Sequence, residues 1–503
     1  MAQLRTPTVA SIAEADEFVI NHSAALQHDA VVNLNPFEIR FWDQSLPHRR
    51  LLLLKSLYRH HAAVDQRFGE RRDIHLRALD STTGPSRVHL VAFWRAFAFL
   101  DHANANCFGS GHVRRFLDLG CAPGGFSQWL LQHNRDVYGV GVTLPIEEAG
   151  IPLQIDSAFL ANFRVCYDDL ISLATASMES GVPVKIHLLD DHHESYDLVI
   201  AGAFLVLQGQ KPWWQRVQMV LSQTLVIVSN IAADGTAVVA ISTKLFLWIV
   251  DLIGMLRQCF KTVTAHKTGR LHAVRTSCYL ICRGFQATSE EVERFTARLH
   301  SALRYLVAVS AEWYIDEDGI QHCDRKPEDL PLLSGESADN VFDTQHRFVL
   351  ELFEPLWNMQ YDAIRVDFAK VLIEEHGESA GIPNQSPDND GNGAAATVTQ
   401  ADIDWLATVP STDPHLNPHP KPAPAGVVVN AVRRSVKLRA ARACQRIFSG
   451  LGGAAIPPTR TRGGELHNSS LASFNGRRSV LASSSTVRAT RQTVVLLPDE
   501  YKS

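Results

Sequence analysis

The sequence predicts an α/β fold in which a mostly parallel sheet carries helices on both faces. Between residues 86 and 285, short apolar runs of strand length alternate with stretches whose apolar residues recur at helical spacing. One of these runs, residues 116–119, passes directly into a turn rich in glycine and proline, and a helical pattern follows the turn. Both observations are typical of strand–turn–helix units, so this region is the predicted domain.

The segment before this domain, residues 1–85, is predicted to be helical and carries no recognisable chemistry. Its histidine pair His60-His61, like the later pair His192-His193, has no further ligand at a regular spacing. Adjacent histidines on a helix or loop usually point in different directions. We therefore predict no metal site. A helix over residues 87–105, with apolar residues at helical spacing, is expected just before the first strand.

The turn after the first strand belongs to the string D-L-G-C-A-P-G-G-F-S, residues 118–127. Three glycines allow the backbone to approach a bulky ligand closely, and the following helix offers unpaired N–H groups at its start. Asp118 lies at the end of the strand, where open α/β sheets bind ligands. The glycine spacing differs from that of NAD-binding and ATP-binding loops. The alternative interpretation is a tight corner without a ligand.

The same string closely resembles the hallmark D-L-G-x-x-P-G-G-[WF]-[ST] of the FtsJ-like family, the ribosomal RNA 2′-O-ribose methyltransferases and their relatives. The resemblance implies S-adenosyl-L-methionine as cofactor. It also implies a doubly wound, Rossmann-like methyltransferase fold over residues 86–285. The residues that it assigns to cofactor binding are Asp118, Gly120, Pro123, Gly124, Gly125, Phe126, Asp168 and Asp169.

The next two strands are predicted at residues 137–142 and 163–170. No acid ends the first of them, so the ribose contact common in nucleotide-binding folds is missing or made otherwise. In the FtsJ-like family an aspartate after the second accepts a hydrogen bond from the adenine amine. Asp168 or Asp169 matches that position, and capping of the next helix is the alternative for both.

The catalytic tetrad of the family, two lysines and two acids, is matched incompletely. The resemblance places Arg95 at the position of the first lysine, where a surface arginine on an amphipathic helix is an equal alternative. Lys244 is the candidate second lysine, the alternative being a lysine at a helix start. The segment 196–202 resembles the motif D-L-V-x-x-D, but Gly202 replaces its second aspartate. Ser277 occupies the position of the remaining acid.

The final part of the domain contains strands predicted at residues 235–241, 260–263 and 278–282. The loop before the last strand contains three cations that either contact RNA phosphates or are merely solvated: Lys267, Arg270 and Arg275. Residues 286–376 are predicted to be a helical extension. Residues 377–426, rich in Ser, Asn, Asp, Gly and Pro, are predicted to be a linker.

Charge is distributed unevenly along the chain, whose net charge is −5. Residues 427–503 contain thirteen Lys and Arg against three acids, so the remainder is strongly acidic. This tail is predicted to be mostly disordered; it either binds phosphate backbones or is only solvated. Eight scattered cysteines without a C-x-x-C pair, and an N-terminus without the features of a signal peptide, predict an intracellular protein, cytoplasmic or nuclear.

Together these features predict a methyltransferase that depends on S-adenosyl-L-methionine and methylates RNA at the ribose 2′-hydroxyl. The alternative is a catalytically degenerate methyltransferase fold that binds cofactor or RNA as a scaffold. No membrane association is expected. The longest apolar segment, residues 245–256, contains Asp251 and is too short to span a bilayer, which takes about 20 apolar residues. We predict a buried helix there.

Overall fold

A computed structural model describes residues 6–24, 34–67, 69–70, 87–148, 150–187, 195–204, 212–315, 321–323 and 325–377. The helices in this part of the chain are α1 (Ile12–Ser23), α2 (Pro36–Trp42), α3 (Leu46–His60), α4 (Val88–Ala103), α5 (Gly125–His133), α6 (Leu170–Ser180), α7 (Trp213–Asn230), α8 (Leu247–Cys259), α9 (Gly269–His272), α10 (Ser289–Glu312) and α11 (Ala338–His376). The strands are β1 (Arg115–Leu119), β2 (Tyr138–Thr143), β3 (Phe163–Tyr167), β4 (Tyr196–Ala201), β5 (Ile231–Ser242), β6 (Phe260–His266), β7 (Ser277–Phe285), β8 (Tyr314–Ile315) and β9 (Gln321–His322).

Seven of these strands form one sheet, in the order β3-β2-β1-β4-β5-β7-β6. Strands β1 to β5 pair in parallel, whereas β7 runs antiparallel to both of its neighbours. This order is typical of the S-adenosyl-L-methionine-dependent methyltransferase fold, so the predicted fold class is confirmed. The strands predicted within residues 116–282 all occur, although β5 begins earlier than expected, at Ile231, and β3 ends at Tyr167 rather than at residue 170.

The central strands are apolar in nearly every position because helices cover both faces of the sheet. In β1, Phe116 belongs to the hydrophobic cluster formed with α4 and α5. Its neighbour Leu117 belongs to the cluster on the opposite face, formed with α7 and α8. Both side chains are fully buried. Successive residues of a strand point to opposite faces, so one short run supplies both cores.

The N-terminal helices and the helical extension share the second of these clusters. Helices α1 and α3 pack against α11, which also packs against α8. Two hydrogen bonds fix the end of β5 to these additions. Trp357 of α11 donates from Nε1 to the carbonyl of Thr243 over 3.2 Å, and the Asn35 amide donates to the carbonyl of Leu245 over 3.2 Å. The backbone on either side of Lys244 is therefore held in place.

Helix α8 is the buried helix that the apolar segment predicts, and its one acid has a structural role. The Asp251 carboxylate is buried and accepts hydrogen bonds from the backbone N–H groups of Leu333 and Ser334. These bonds satisfy a charged group that would otherwise be costly to bury. They also fix the segment that leads into α11. No described helix combines the length and the apolar character that a membrane crossing requires.

The predicted linker from residue 378 onward and the predicted basic tail lie outside the described residues, as do residues 1–5, 25–33, 68 and 71–85. The start of the helical extension is explained by a capping box. The Thr288 hydroxyl accepts from the N–H of Glu291, and the Glu291 carboxylate accepts from the N–H of Thr288. Such a reciprocal cap stabilises a helix N-terminus by roughly 1 kcal/mol, which accounts for α10 beginning at Ser289.

Candidate functional site

The glycine-rich turn lies between β1 and α5, as the sequence predicts. Two of its N–H groups donate to the carbonyl of Val142 on β2, from Gly120 over 2.8 Å and from Cys121 over 3.1 Å. The N–H of Gly202, just after β4, donates to the carbonyl of Leu119 over 3.1 Å. The turn is thus fixed at the carboxyl ends of three adjacent strands, where open α/β sheets bind ligands.

Two glycines of the turn have backbone conformations and contacts that exclude a side chain. Gly120 has φ +80°, and a Cβ there would lie 2.5 Å from the Cα of Ala203. Gly124 has φ +112°, and a Cβ there would lie 2.3 Å from a side-chain carbon of Ile155. Positive φ disfavours residues with a Cβ, and both distances are below van der Waals contact. The turn therefore requires glycine at both positions.

A half-open pocket, which we call the cavity, lies beside the turn. Its wall contains five of the residues that the resemblance assigns to the cofactor, and side chains from α4 and from the end of β4 complete it. The lining residues are Phe93, Asp118, Gly120, Cys121, Ala122, Pro123, Gly125, Phe126, Gly202 and Phe204. The structure therefore places these glycines at a concave site open to a ligand.

Asp118 is the acid of this cavity and is 2% exposed. Burial raises the pKa of its carboxyl to about 7, although the Ser127 hydroxyl and N–H act in the opposite direction. The Ser127 hydroxyl donates to Oδ2 over 2.6 Å. A buried carboxyl with such a pKa gains or loses its proton near neutral pH. Its charge therefore responds to a cation placed in the cavity.

Three aromatic rings form the apolar part of the wall. Phe93 and Phe126 meet edge to face at 5.7 Å, and Phe204 lies nearly parallel to Phe93 at 6.3 Å. The segment after β4 is held by the Gln223 amide, which accepts from the N–H of Ala203 over 2.9 Å and donates to its carbonyl over 3.0 Å. Sequence reasoning did not identify Phe93, Phe204 or Gln223 as site residues. Only the position of Phe204, just after a strand end, was a usable signal.

Asp168 and Asp169 follow β3, as predicted, but their environments differ. Asp169 is the N-cap of α6, accepting from the N–H groups of Ile171 and Ser172 over 3.2 and 3.1 Å. Asp168 is half-buried, and burial raises the pKa of its carboxyl. Its N–H donates to the carbonyl of Thr143 at the end of β2. Of the two, only Asp169 caps the helix; the Asp168 carboxylate accepts from the N–H of Asp169 over 2.8 Å.

The structure does not bring the two predicted catalytic cations to the cavity wall. Arg95 is exposed on α4, two residues after Phe93, which lines the cavity. Two residues of an α-helix correspond to a rotation of about 200° around the helix axis, so the two side chains lie on opposite faces of α4. Lys244 follows β5, the strand next to β4, and its Nζ lies 4.7 Å from the ring centre of Phe246. Lys244 thus follows the strand adjacent to the one that ends before Gly202. Arg95 lies on the face of α4 that is turned away from the cavity.

The predicted phosphate contact of Lys267 is wrong, because its side chain is 1% exposed. Its ammonium donates to the carbonyls of His272, Arg275 and Ser277, two of them at 3.2 and 3.1 Å. Burial lowers the pKa of this amine to about 8. The Lys267 side chain therefore holds the loop before β7 together by hydrogen bonds to its backbone. Arg275 is half-buried, and the side chain of Arg270 lies outside the described residues.

The cavity combines a glycine-rich wall, aromatic rings and one buried acid. Glycines at residues 120 and 125 bring the backbone to the surface of this wall, and Asp118 places a buried carboxyl in it. Among the described residues that line it, Asp118 and Cys121 are the only titratable ones, and burial raises the pKa of the Cys121 thiol. Gly202 contributes no carboxylate to the cavity, and Ser277, at the start of β7, is not among the residues that line it.

Comparison with protein families matches residues 95–285 to the FtsJ-like methyltransferase family. Among solved structures, a Plasmodium falciparum protein assigned as a ribosomal RNA methyltransferase is similar at 19% identity and TM-score 0.28, over 38% of this chain and 97% of that one. Human methyltransferase-like protein 13, solved with S-adenosylhomocysteine, is 13% identical with TM-score 0.23, over 48% of this chain and 92% of that one.

A TehB-like S-adenosylmethionine-dependent methyltransferase from Corynebacterium glutamicum is 12% identical with TM-score 0.23, over 44% of this chain and 99% of that one. Comparison with curated proteins gave no significant match. The strand order is typical of the S-adenosyl-L-methionine-dependent methyltransferase fold, and residues 95–285, less than half of the chain, match the model of the FtsJ-like methyltransferases, a family that uses S-adenosyl-L-methionine.

Proposed function

We propose that this protein transfers a methyl group from S-adenosyl-L-methionine to a ribose 2′-hydroxyl of RNA. The observation that carries the proposal is the glycine-rich turn at the carboxyl end of β1, in which Gly120 packs directly against Ala203 and lines the cavity together with Asp118. FtsJ family methyltransferases act on RNA. The cofactor supplies an electrophilic methyl group, and the chain must supply the site that orients it toward the acceptor.

Lys244 is the proposed cation at the acceptor side. Its backbone is held between the hydrogen-bonded carbonyls of Thr243 and Leu245, so its position is defined by the helical additions. A ribose hydroxyl is a weak acid and must lose its proton as the methyl group is transferred. A nearby ammonium favours the alkoxide electrostatically, even without the carboxylates that the family places around it.

Losing both tetrad acids is expected to slow the reaction rather than abolish it. Correct alignment of two bound reactants can supply about 7–11 kcal/mol of the lowering of the barrier, and this contribution does not depend on an acid. Proton transfer by a positioned group typically adds a factor of about 10² to 10⁴. Slow turnover on a well-aligned substrate is therefore consistent with Gly202 and Ser277.

RNA is proposed to lie along the carboxyl edge of the sheet. Arg95, on the exposed face of α4, is better suited to a phosphate contact than to proton transfer, because a guanidinium keeps its charge. Arg275 and the basic residues 427–503 are further candidate phosphate contacts. These contacts would add affinity without reading sequence.

A second function, a scaffold that binds cofactor or RNA without catalysis, is favoured by one observation. Among the described lining residues, the cavity offers no base near Gly202: Asp118 is hydrogen-bonded to Ser127, and burial keeps Cys121 in the thiol form. The two functions differ in turnover, not in cofactor binding.

Incubating total RNA with cofactor carrying a tritiated methyl group separates them. A 2′-O-methyl group removes the hydroxyl that cleaves the backbone in alkali, so radioactivity is expected in dinucleotides that resist alkaline hydrolysis. Cofactor binding without incorporation into RNA would support the scaffold. Incorporation only into protein or small-molecule fractions would contradict the RNA assignment.

Replacing Lys244 with alanine is expected to lower this incorporation by at least about tenfold, since an ammonium that stabilises the transition state is lost. Affinity for the cofactor is expected to stay within about twofold, because Lys244 does not line the cavity. The matched control is Lys261→Ala, an exposed lysine on β6 that pairs with Asp234. Equal loss in both variants, or none in Lys244→Ala, would remove Lys244 from the mechanism.

Cofactor affinity is expected to rise about tenfold between pH 6 and pH 8 and then to level off. The pKa of Asp118 is about 7, so at pH 6 the free protein carries this carboxyl mostly protonated. The cationic amino group of the cofactor favours the carboxylate, so binding below pH 7 must release a proton. Calorimetry in two buffers of different ionisation enthalpy measures that release. Asp118→Asn should bind more weakly and without this pH dependence; an unchanged pH profile would contradict the assignment.

A further inference from the structure

Three side chains with metal-ligating atoms converge where α3 and α11 end, away from the described lining of the cavity. His61 Nε2 lies 3.5 Å from the Glu375 carboxylate, and His376 Nε2 lies 3.8 Å from the same oxygen. The three ligand atoms all lie within 4.8 Å of one another. His61 is buried, with a side chain 5% exposed, whereas the other two are 43% and 39% exposed.

The convergence follows from the packing of the two helices. Tyr58 of α3 donates to the Asp367 carboxylate of α11, and Arg67 pairs with Glu374 over 3.1 Å. The imidazole of His61 packs edge to face against Phe368 at 5.4 Å, which fixes the ring. The His61 side chain is therefore fixed within the cluster. The exposed side chains of Glu375 and His376, both on α11, have room to change rotamer.

Helix electrostatics at this point favour a cation. His61 is the C-cap of α3, and α11 ends at His376. Each helix C-terminus carries a partial negative charge of about half an electron, so two of them meet beside the carboxylate of Glu375. A metal ion would complement both helix ends and the carboxylate together.

We propose that His61, Glu375 and His376 bind one divalent transition-metal ion of the zinc class. Two imidazoles and one carboxylate suit zinc, and they do not suit calcium or magnesium, which prefer oxygen ligands throughout. Bonds of about 2.0–2.1 Å place tetrahedral ligand atoms about 3.3 Å apart. The present separations, up to 4.8 Å, close to that value when the two exposed side chains of α11 move by about 1.5 Å.

The ion would act as a cross-link rather than in methyl transfer. It would connect the end of α3, in the N-terminal helices, to the end of the helical extension, and a water molecule would complete the four ligands. Because binding requires both helices in place, the metal stabilises the folded chain by mass action. This inference does not depend on the proposed function, since none of the three residues lines the cavity.

The test is calorimetric titration of the tag-free, full-length, chelator-treated protein with zinc ions. The chain contains 22 histidines, so weak background binding is expected, and the comparison rests on differences between variants. Wild type and the control His60→Ala should show one tight equivalent more than His376→Ala. His60 is a fair control because it neighbours His61 while its Nδ1 contacts the Ser56 carbonyl.

Two further readouts keep the outcome decisive. Cobalt ions should give the intense visible bands of a tetrahedral site in wild type, and these bands should disappear in His376→Ala and Glu375→Gln. Zinc should raise the Tm of wild type but not of these two variants. Both change exposed residues at a helix end, so folding is not at risk. The same number of tight equivalents and the same cobalt spectrum in all proteins would overturn the proposal.

Discussion

Replacing Gly120 with alanine is expected to abolish measurable binding of S-adenosyl-L-methionine. The new Cβ would lie 2.5 Å from the Cα and 2.8 Å from the N of Ala203. Ala203 cannot yield easily, because the buried Gln223 amide holds both of its backbone groups. The turn must move instead, and a displacement costing about 3 kcal/mol weakens binding by more than about a hundredfold. Calorimetric titration with the cofactor measures the loss.

Gly111→Ala separates the two causes of this effect. Gly111 has φ +84°, close to the +80° of Gly120, but a Cβ there would meet no atom within 4 Å. Both variants therefore pay a similar conformational penalty of about 1–2 kcal/mol in stability, which a denaturation curve reports. Only Gly120→Ala should lose the cofactor. If Gly120→Ala binds as wild type does, or if Gly111→Ala loses binding equally, the cavity beside the turn is not the cofactor site.

The fold was predictable because its signals are local. Strand β1 is a continuous apolar run, the turn follows it directly, and the helix pattern begins within a few residues. Each of these features is set by neighbours in sequence. The helical additions were predicted as helices, but their joint packing with one face of the sheet was not. That packing depends on contacts such as Trp357 with Thr243, which no local pattern encodes.

The site was predictable only where it consists of the turn itself. Phe93 lies on a helix whose apolar pattern suggests core, and nothing in the sequence distinguishes it from Phe97, which is fully buried. Lys267 shows the opposite error. A lysine in a cationic loop suggests a surface, yet three carbonyls of the same loop enclose its ammonium. Side-chain direction within a loop follows from backbone geometry that sequence spacing does not reveal.

The cluster proposed here as a metal site at His61 illustrates the same limit of sequence spacing, and the prediction of no metal site stays untested. Ligand spacing along a chain reveals a site only when the ligands are neighbours in sequence. Here one histidine ends α3, while the glutamate and the other histidine end α11. The prediction of no metal site rested on sequence spacing alone. Pairing of distant helix ends, which brings the three side chains together, depends on tertiary packing.

Replacing Gly202 with aspartate is expected to raise methyl incorporation into RNA by about a hundredfold. The FtsJ-like motif that residues 196–202 resemble has an aspartate at this position, and Gly202 lines the cavity. A positioned carboxylate that accepts the hydroxyl proton contributes a factor of about 10² to 10⁴. The lower end applies here, because Ser277 leaves the second acid absent. Initial rates with tritiated cofactor, at saturating RNA, measure the gain.

The backbone around Gly202 accepts this change without strain. A Cβ would lie 3.7 Å from the carbonyl oxygen of Leu119 and 4.0 Å from the ring of Phe126, which are ordinary contact distances. Partial burial would raise the pKa of the new carboxyl toward the working pH, as suits a general base. Gly202→Asn, of equal size but uncharged, is the control and should not gain. If the aspartate and asparagine variants give the same rate while both bind cofactor, the acceptor hydroxyl is not deprotonated beside residue 202. The scaffold function then becomes the better account.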